Sequence, residues 1–134
     1  MFIYECFLPV RGLLLTGPFS IDFLEKIQEY VGKEAYLTPE NTNPHDEFAV
    51  GIFVKKEKKD TNENWKLHIG YIPRERSERF HHFLCNKGEY KANIEYINSE
   101  SKQYNTNYLF IKVCLKIQSQ DQFDDLFKGL LSYF

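Results

Sequence analysis

The sequence predicts a single, mainly β domain with peripheral helices, an α+β arrangement, and three observations point to it. Two late runs, Tyr90–Tyr96 and Tyr108–Ile117, alternate apolar and polar residues with a period of two, as a strand with one buried face does. Clusters of turn residues, such as Gly17-Pro18 and the stretch from Pro39 to Asp46, punctuate the β-prone runs. Other segments place their apolar residues at helical spacing instead. A chain of 134 residues with 43% hydrophobic content is long enough to bury one core of its own, and a second folded domain is not expected.

In chain order, Phe2–Leu8 and Val10–Leu15 are β-prone runs separated by Pro9, which cannot donate to a ladder and so marks a bend, a bulge or an edge. Ser20 is an N-cap candidate for an amphipathic helix that places apolar residues at 23, 24, 27, 30 and 31 and ends at Gly32. Glu34–Thr38 is a short strand. Pro39–Asp46 is a loop, and Phe48–Lys55 resumes as a strand. A charged segment from Lys55 to Asn64 then leads into Trp65–Tyr71, so the two strands form a hairpin with a long polar tip. Pro73 opens a helix to about Asn86, with Phe80, Phe83 and Leu84 on one side and Gly88 beyond its end. After the two alternating strands, Phe123, Leu126, Phe127, Leu130, Leu131 and Phe134 recur at helical spacing and predict a C-terminal helix.

Lys plus Arg (17) nearly balances Asp plus Glu (19), a net charge of minus two. That disfavours indiscriminate polyanion binding and leaves room for a local basic pocket. Cys6, Cys85 and Cys114 are an odd, widely spaced set, read as buried or free thiols in a reducing compartment. The N-terminal run contains Glu5 and lacks the basic region and cleavage site of an export signal, so a cytoplasmic location with no membrane span is expected. No phosphate-binding loop, nucleophile elbow, HExxH or paired-carboxylate cluster is present, and neither catalysis nor a cofactor is expected. His81 and Cys85, four apart on one helix face, are two metal-ligand types but not a zinc site; surface histidines and a buried thiol are the expected reading.

The most informative stretch is Asn43-Pro-His-Asp-Glu-Phe-Ala-Val50, followed about twenty residues later by His68-Ile-Gly-Tyr-Ile-Pro-Arg74. Together they resemble the HIRAN domain family, whose signature is an Asn-Pro-aromatic-Asp-x-x-Ala-aliphatic turn and strand and then an aliphatic-Gly-Tyr-aliphatic-Pro segment entering a helix. The Val31-Gly32 pair and the strand after it fall where the family has its glycine and second strand, and the resemblance spans about Val10 to Ile97.

The resemblance implies a small OB-like six-stranded β-barrel with two helices, here extended by the C-terminal helix, that binds single-stranded DNA with a pocket for the 3′ end. It implies DNA-binding roles for His45, Asp46, Tyr71 and Arg74: a ring to stack on a base, a carboxylate to accept a hydrogen bond and a guanidinium for phosphate. The chain departs from the family in placing His45 where a tyrosine is usual. Leu13-Leu14-Leu15 also replaces an Arg-Tyr-Tyr-like run, which makes Arg11 the neighbouring substitute cation.

Other readings of these residues stand beside the functional ones. Asp46 also fits a structural Asx cap, Tyr71 a core position, and Arg74 the solvated first turn of a helix. The expected organisation is a barrel domain over residues 1–118 and a helix over 119–134, packed on the barrel or at an interface. Expected partners are single-stranded DNA or DNA ends, with a helicase or nuclease supplied separately. The alternative is a non-catalytic protein-interaction adaptor that uses the C-terminal helix, through which the chain would also form a homodimer.

Overall fold

The computed structural model describes residues 2–11, 29–44, 46–55, 66–97 and 109–131, with the side chains of 96, 97 and 128–131 left out. The expected helix from Ser20 lies outside the described residues up to position 28, as do Leu13-Leu14-Leu15, His45, the hairpin tip and Phe134.

Among the described residues, six strands and two helices follow in order: β1 (Phe2–Pro9), β2 (Glu34–Pro39), β3 (Val50–Lys55), β4 (Lys66–Tyr71), α1 (Arg74–Cys85), β5 (Glu89–Ile97), β6 (Leu109–Ile117) and α2 (Gln120–Leu131). The strands form one antiparallel sheet ordered β1-β6-β5-β2-β3-β4. The sheet is open, and β1 and β4 are its edges. Among the described residues, its edges meet where Arg11 bridges Tyr71.

Pro9 is the last residue of β1 and still pairs with Phe110 of β6. An edge strand tolerates proline because only one side of the strand needs donors. Val10 still donates to the Leu109 carbonyl (2.7 Å), and the next residue turns to the opposite edge of the sheet. β3 begins two residues later than expected because Phe48 and Ala49 belong to a turn, with their N–H groups bonded to Asp46.

The period-two pattern sets the inner face. Val50, Ile52 and Val54 of β3, Ile69 of β4 and Leu109, Ile111, Val113 and Leu115 of β6 are fully buried. Phe80 and Phe83 of α1 and Leu126 of α2 complete this core. Full burial of such a side chain contributes about 1.5–3 kcal/mol. Exposed ion pairs such as Lys112–Glu5 (3.5 Å) and Lys116–Glu89 (3.6 Å) contribute less than about 1 kcal/mol each, so the core dominates.

Both helices have local stop or start signals. After α1, Gly88 N–H donates to the Phe83 carbonyl (2.9 Å) and Lys87 N–H to that of Leu84 (3.2 Å), the bond pattern of a Schellman ending. The left-handed residue in it is Lys87, at φ 60°, rather than the glycine that follows. Ser119 caps α2 by accepting from Gln122 N–H (3.2 Å), while the buried Gln122 amide oxygen accepts from Gln118 N–H (2.8 Å). Of the apolar stripe on α2, Leu126 is buried, Phe123 and Phe127 pack on the core, and Phe127 meets Tyr4 edge-on at 5.0 Å. Leu126 is thus covered by the protein's own body, and Phe123 and Phe127 are partly covered.

Candidate nucleic-acid interface

The turn between β2 and β3 is built by its own side chains and clamped onto α1. Asp46 Oδ1 accepts from Phe48 N–H (2.9 Å), and Asn43 Oδ1 accepts from Asp46 N–H (3.3 Å). These bonds replace the ladder contacts that the chain gives up while reversing direction. Three further contacts hold the turn and the loop before it to the helix. Ser77 Oγ lies 3.4 Å from Asp46 Oδ2, His81 Nε2 lies 2.7 Å from Asn41 Oδ1, and the Phe48 ring packs against those of His81 (5.6 Å) and His82 (5.3 Å).

At the neighbouring sheet edge, Arg11 and Tyr71 exchange two backbone hydrogen bonds. Residues paired in this way carry their side chains on the same face, so the Arg11 guanidinium shares a face with the Tyr71 phenol. Gly70 makes this approach possible: a Cβ there would meet the Val10 side chain and would lie 2.7 Å from the Arg11 carbonyl oxygen.

The Tyr71 phenol faces the Glu40 carboxylate and Asn43; burial first, and then the Glu40 charge, push its pKa upward. Glu40 also accepts from Asn43 Nδ2 (3.1 Å). A path of polar contacts therefore runs from Arg11 and Tyr71 past Glu40 and Asn43 to Asp46, whose second carboxylate oxygen lies 3.4 Å from Ser77 Oγ, itself 3.1 Å from the Arg74 carbonyl oxygen.

Of the residues predicted from sequence, Arg11 and Tyr71 are direct neighbours. Asp46 is bonded to Asn43, which lies beside Tyr71, and its carboxylate faces Ser77 in the first turn of α1; the Arg74 side chain is exposed. His45 lies outside the described residues. Asp46 makes the Asx turn, and its second carboxylate oxygen faces α1. Glu40 and Ser77 were not foreseen. Their signal would have been three-dimensional, because each is ordinary in its own segment and acts across 31 residues or more.

Two further unforeseen residues, Phe53 and His68, pair across β3 and β4 and stack at 4.4 Å with 18° between their planes. Tyr71 meets His68 edge-on at 4.8 Å. Here the sequence did carry a signal: the residues of β3 between the buried Val50, Ile52 and Val54 must lie on its other face.

The expectation of surface histidines and a buried thiol on α1 holds for His82, which is exposed, and is corrected for the other two: His81 is buried and Cys85 is exposed. Four helical residues advance about 40° beyond a full turn, so Cys85 drifts off the stripe that holds Ser77, Phe80 and His81. Burial, and then the neighbouring His82, lower the pKa of His81. Among the described residues, no group of three or more His, Cys, Asp or Glu could hold a metal, and no helix is long and apolar enough to cross a membrane. The three cysteines are free, and burial pushes the Cys6 thiol up to about 11.

A curled antiparallel sheet whose two motif segments meet beside a helix N-terminus defines a small, mainly β module. Its sequence matches the model of the HIRAN domain over residues 15–117, and the chain belongs to that family, which is known for DNA-binding rather than catalytic modules. No curated protein matches. Among solved structures, the chain is similar to the HIRAN domain of human HLTF, with a TM-score of 0.57 and 14% identity, covering 94% of this chain and 87% of that one. A Lactobacillus plantarum protein gives a TM-score of 0.48 at 14% identity, with 84% and 97% covered.

Proposed function

We propose that this chain is a DNA-binding module for single-stranded DNA or a 3′ strand end, used in repair or replication-related processes, with Asp46, Tyr71, Arg74, Arg11 and His45 forming the surface. In this reading the curled sheet is an OB-like barrel over residues 1–118 that carries α2 on its side. The observation that carries it is the path of polar contacts from Arg11 to Ser77, which brings both family motifs together at the first turn of α1, with Arg11 and Arg74 at its two ends.

The path also suits a strand end chemically. Ser77 has one hydroxyl proton and two acceptors, and the Arg74 carbonyl is the closer of them (3.1 against 3.4 Å). Asp46 Oδ2 is then left with capacity to accept from a sugar hydroxyl, while Oδ1 keeps the turn closed. Neither guanidinium forms an ion pair with another described residue, which suits both to phosphate.

The test is the salt dependence of binding to a short labelled single strand, measured by fluorescence anisotropy. Each phosphate contact contributes about 0.7 to the slope of log affinity against log salt. Arg74→Gln is expected to weaken binding and to lower the slope by about that amount, and Arg11→Gln to do the same. Salt-insensitive binding, or slopes unchanged in both variants, contradicts the proposal.

A further inference from the structure

The end of α1 carries a second chemical feature, separate from the sheet edge. Cys85, the last residue of the helix, is exposed, and its Sγ lies 3.7 Å from His81 Nδ1, one helical turn back. The other ring nitrogen of His81, Nε2, lies 2.7 Å from Asn41 Oδ1 in the loop before the turn. Thiol, imidazole and carboxamide thus form one chain of contacts, drawn from α1 and from the connection between β2 and β3.

These contacts assign a role to each atom. A carboxamide oxygen only accepts, so Asn41 keeps the proton of the neutral ring on Nε2 and leaves the Nδ1 lone pair facing the thiol. The ring is also held in place, since His81 is 7% exposed and meets the rings of Phe48 and His82 edge-on at 5.6 and 6.0 Å. The charged groups around it are His82 on its own helix and Asp46 and Glu47 on the turn. Burial and His82 outweigh the two carboxylates and lower its pKa, so at pH 7 the ring is neutral and can accept a proton.

The other two cysteines lack this arrangement. Cys6 is buried, and Cys114 is half-buried with its thiol 3.6 Å from the Glu5 carboxylate. Burial pushes both thiols up, and the Glu5 charge adds to the effect. An exposed thiol whose base is buried and oriented by a third group is the geometry of an activated sulfur nucleophile.

We propose that Cys85 is a site of covalent thiol modification that reacts with small disulfides, with His81 as its base and Asn41 as a positioning residue. His81 Nδ1 takes the thiol proton, and the Cys85 sulfur forms a bond to one sulfur of the disulfide while the original S–S bond breaks. The departing sulfur leaves with the bonding pair and takes the proton from His81. Cys85 is thereby oxidised to a mixed disulfide, and the other half of the reagent is reduced to a free thiol. Cys6 and Cys114 lie on β1 and β6 within the sheet, so the mixed disulfide on α1 is the product. The proposal is independent of the strand-end reading.

The experiment incubates the whole reduced chain with bis(2-hydroxyethyl) disulfide, whose charge does not change with pH, from about pH 5 to pH 9. Adducts are quantified at each cysteine by peptide mass mapping after an acid quench. Cys85 is expected to react about tenfold or more faster than Cys114 or Cys6, with a rate that levels off between the titrations of imidazole and thiol. In His81→Gln the rate at Cys85 is expected to fall about tenfold or more at pH 7 and to drop about tenfold per pH unit, as for an unassisted thiol. Asn41→Asp keeps the acceptor and adds a charge, and is expected to move the acid edge of the plateau to higher pH. Cys6 reports on folding, because it stays unreactive while the core is intact.

Equal rates at Cys85 and Cys114 in the native protein overturn the proposal. So does a native rate at Cys85 that climbs steeply with pH throughout, which is the behaviour of exposure alone. A plateau retained in His81→Gln with Cys6 still protected overturns the role of His81, and an unmoved acid edge in Asn41→Asp overturns that of Asn41.

Discussion

Arg11 and Tyr71 exchange two backbone hydrogen bonds, 2.9 Å from the Arg11 N–H and 2.8 Å from that of Tyr71, and so join the two edges of an otherwise open sheet. The glycine of the second motif is placed to permit this contact. Gly70→Ala would drive a methyl group into Val10 and the Arg11 carbonyl, and backbone cannot yield as a flexible side chain does. We expect a loss of about 2 kcal/mol or more, read from urea unfolding, with faster amide exchange at Arg11 and Tyr71. Native-like stability in this variant would mean that the edge contact is dispensable.

At the end of α1, Lys87 occupies a left-handed conformation that costs a residue with a Cβ roughly 1–2 kcal/mol. Lys87→Gly should therefore stabilise the protein, by about 0.5–1 kcal/mol once the greater freedom of glycine in the unfolded chain is deducted. Chemical denaturation checks the sign.

Acidification should weaken the fold through His81. Its folded pKa lies below the ordinary 6.5, chiefly because it is buried, so below that pH the unfolded chain takes up the proton first. The contribution is fully present above about pH 6.5 and declines as the pH falls toward the folded value, where it levels off. In His81→Gln, which keeps an N–H for Asn41, the urea midpoint should fall less between pH 7 and pH 5 than in the native protein.

Removing the cap of α2 tests how firmly that helix holds. Ser119→Ala leaves the Gln122 N–H without its acceptor and should cost about 1 kcal/mol. The loss should also loosen the Tyr4–Phe127 contact, which is observable as a change in the aromatic resonances.

Much of the fold was legible because one periodicity governs each element. The alternation from Leu109 to Ile117 and from Tyr90 to Ile94 identified both strands and their inner faces. The turn was legible as a turn, since Asn43 and Asp46 hydrogen-bond the backbone nearby. The docking of that turn was not, because Ser77 meets Asp46 and His81 meets Asn41 across long separations that no local pattern records. The Phe53–His68 stack lay in plain alternation, yet its meaning depended on register. A bulge between Ile52 and Phe53 resets that register, so that Tyr71 falls opposite Gly51.

The strand-end proposal is tested most directly by comparing a single strand bearing a free 3′-hydroxyl with the same strand bearing a 3′-phosphate, for the native protein and for Asp46→Asn. The amide still accepts from Phe48 N–H, so the turn is kept while the charge is removed. The native protein should prefer the hydroxyl by about tenfold or more, because a hydrogen bond to a carboxylate contributes about 1.5–3 kcal/mol and a phosphate is repelled. Asp46→Asn should narrow that preference. Equal affinity for the two strands in the native protein, or an undiminished preference in Asp46→Asn, would contradict the strand-end pocket.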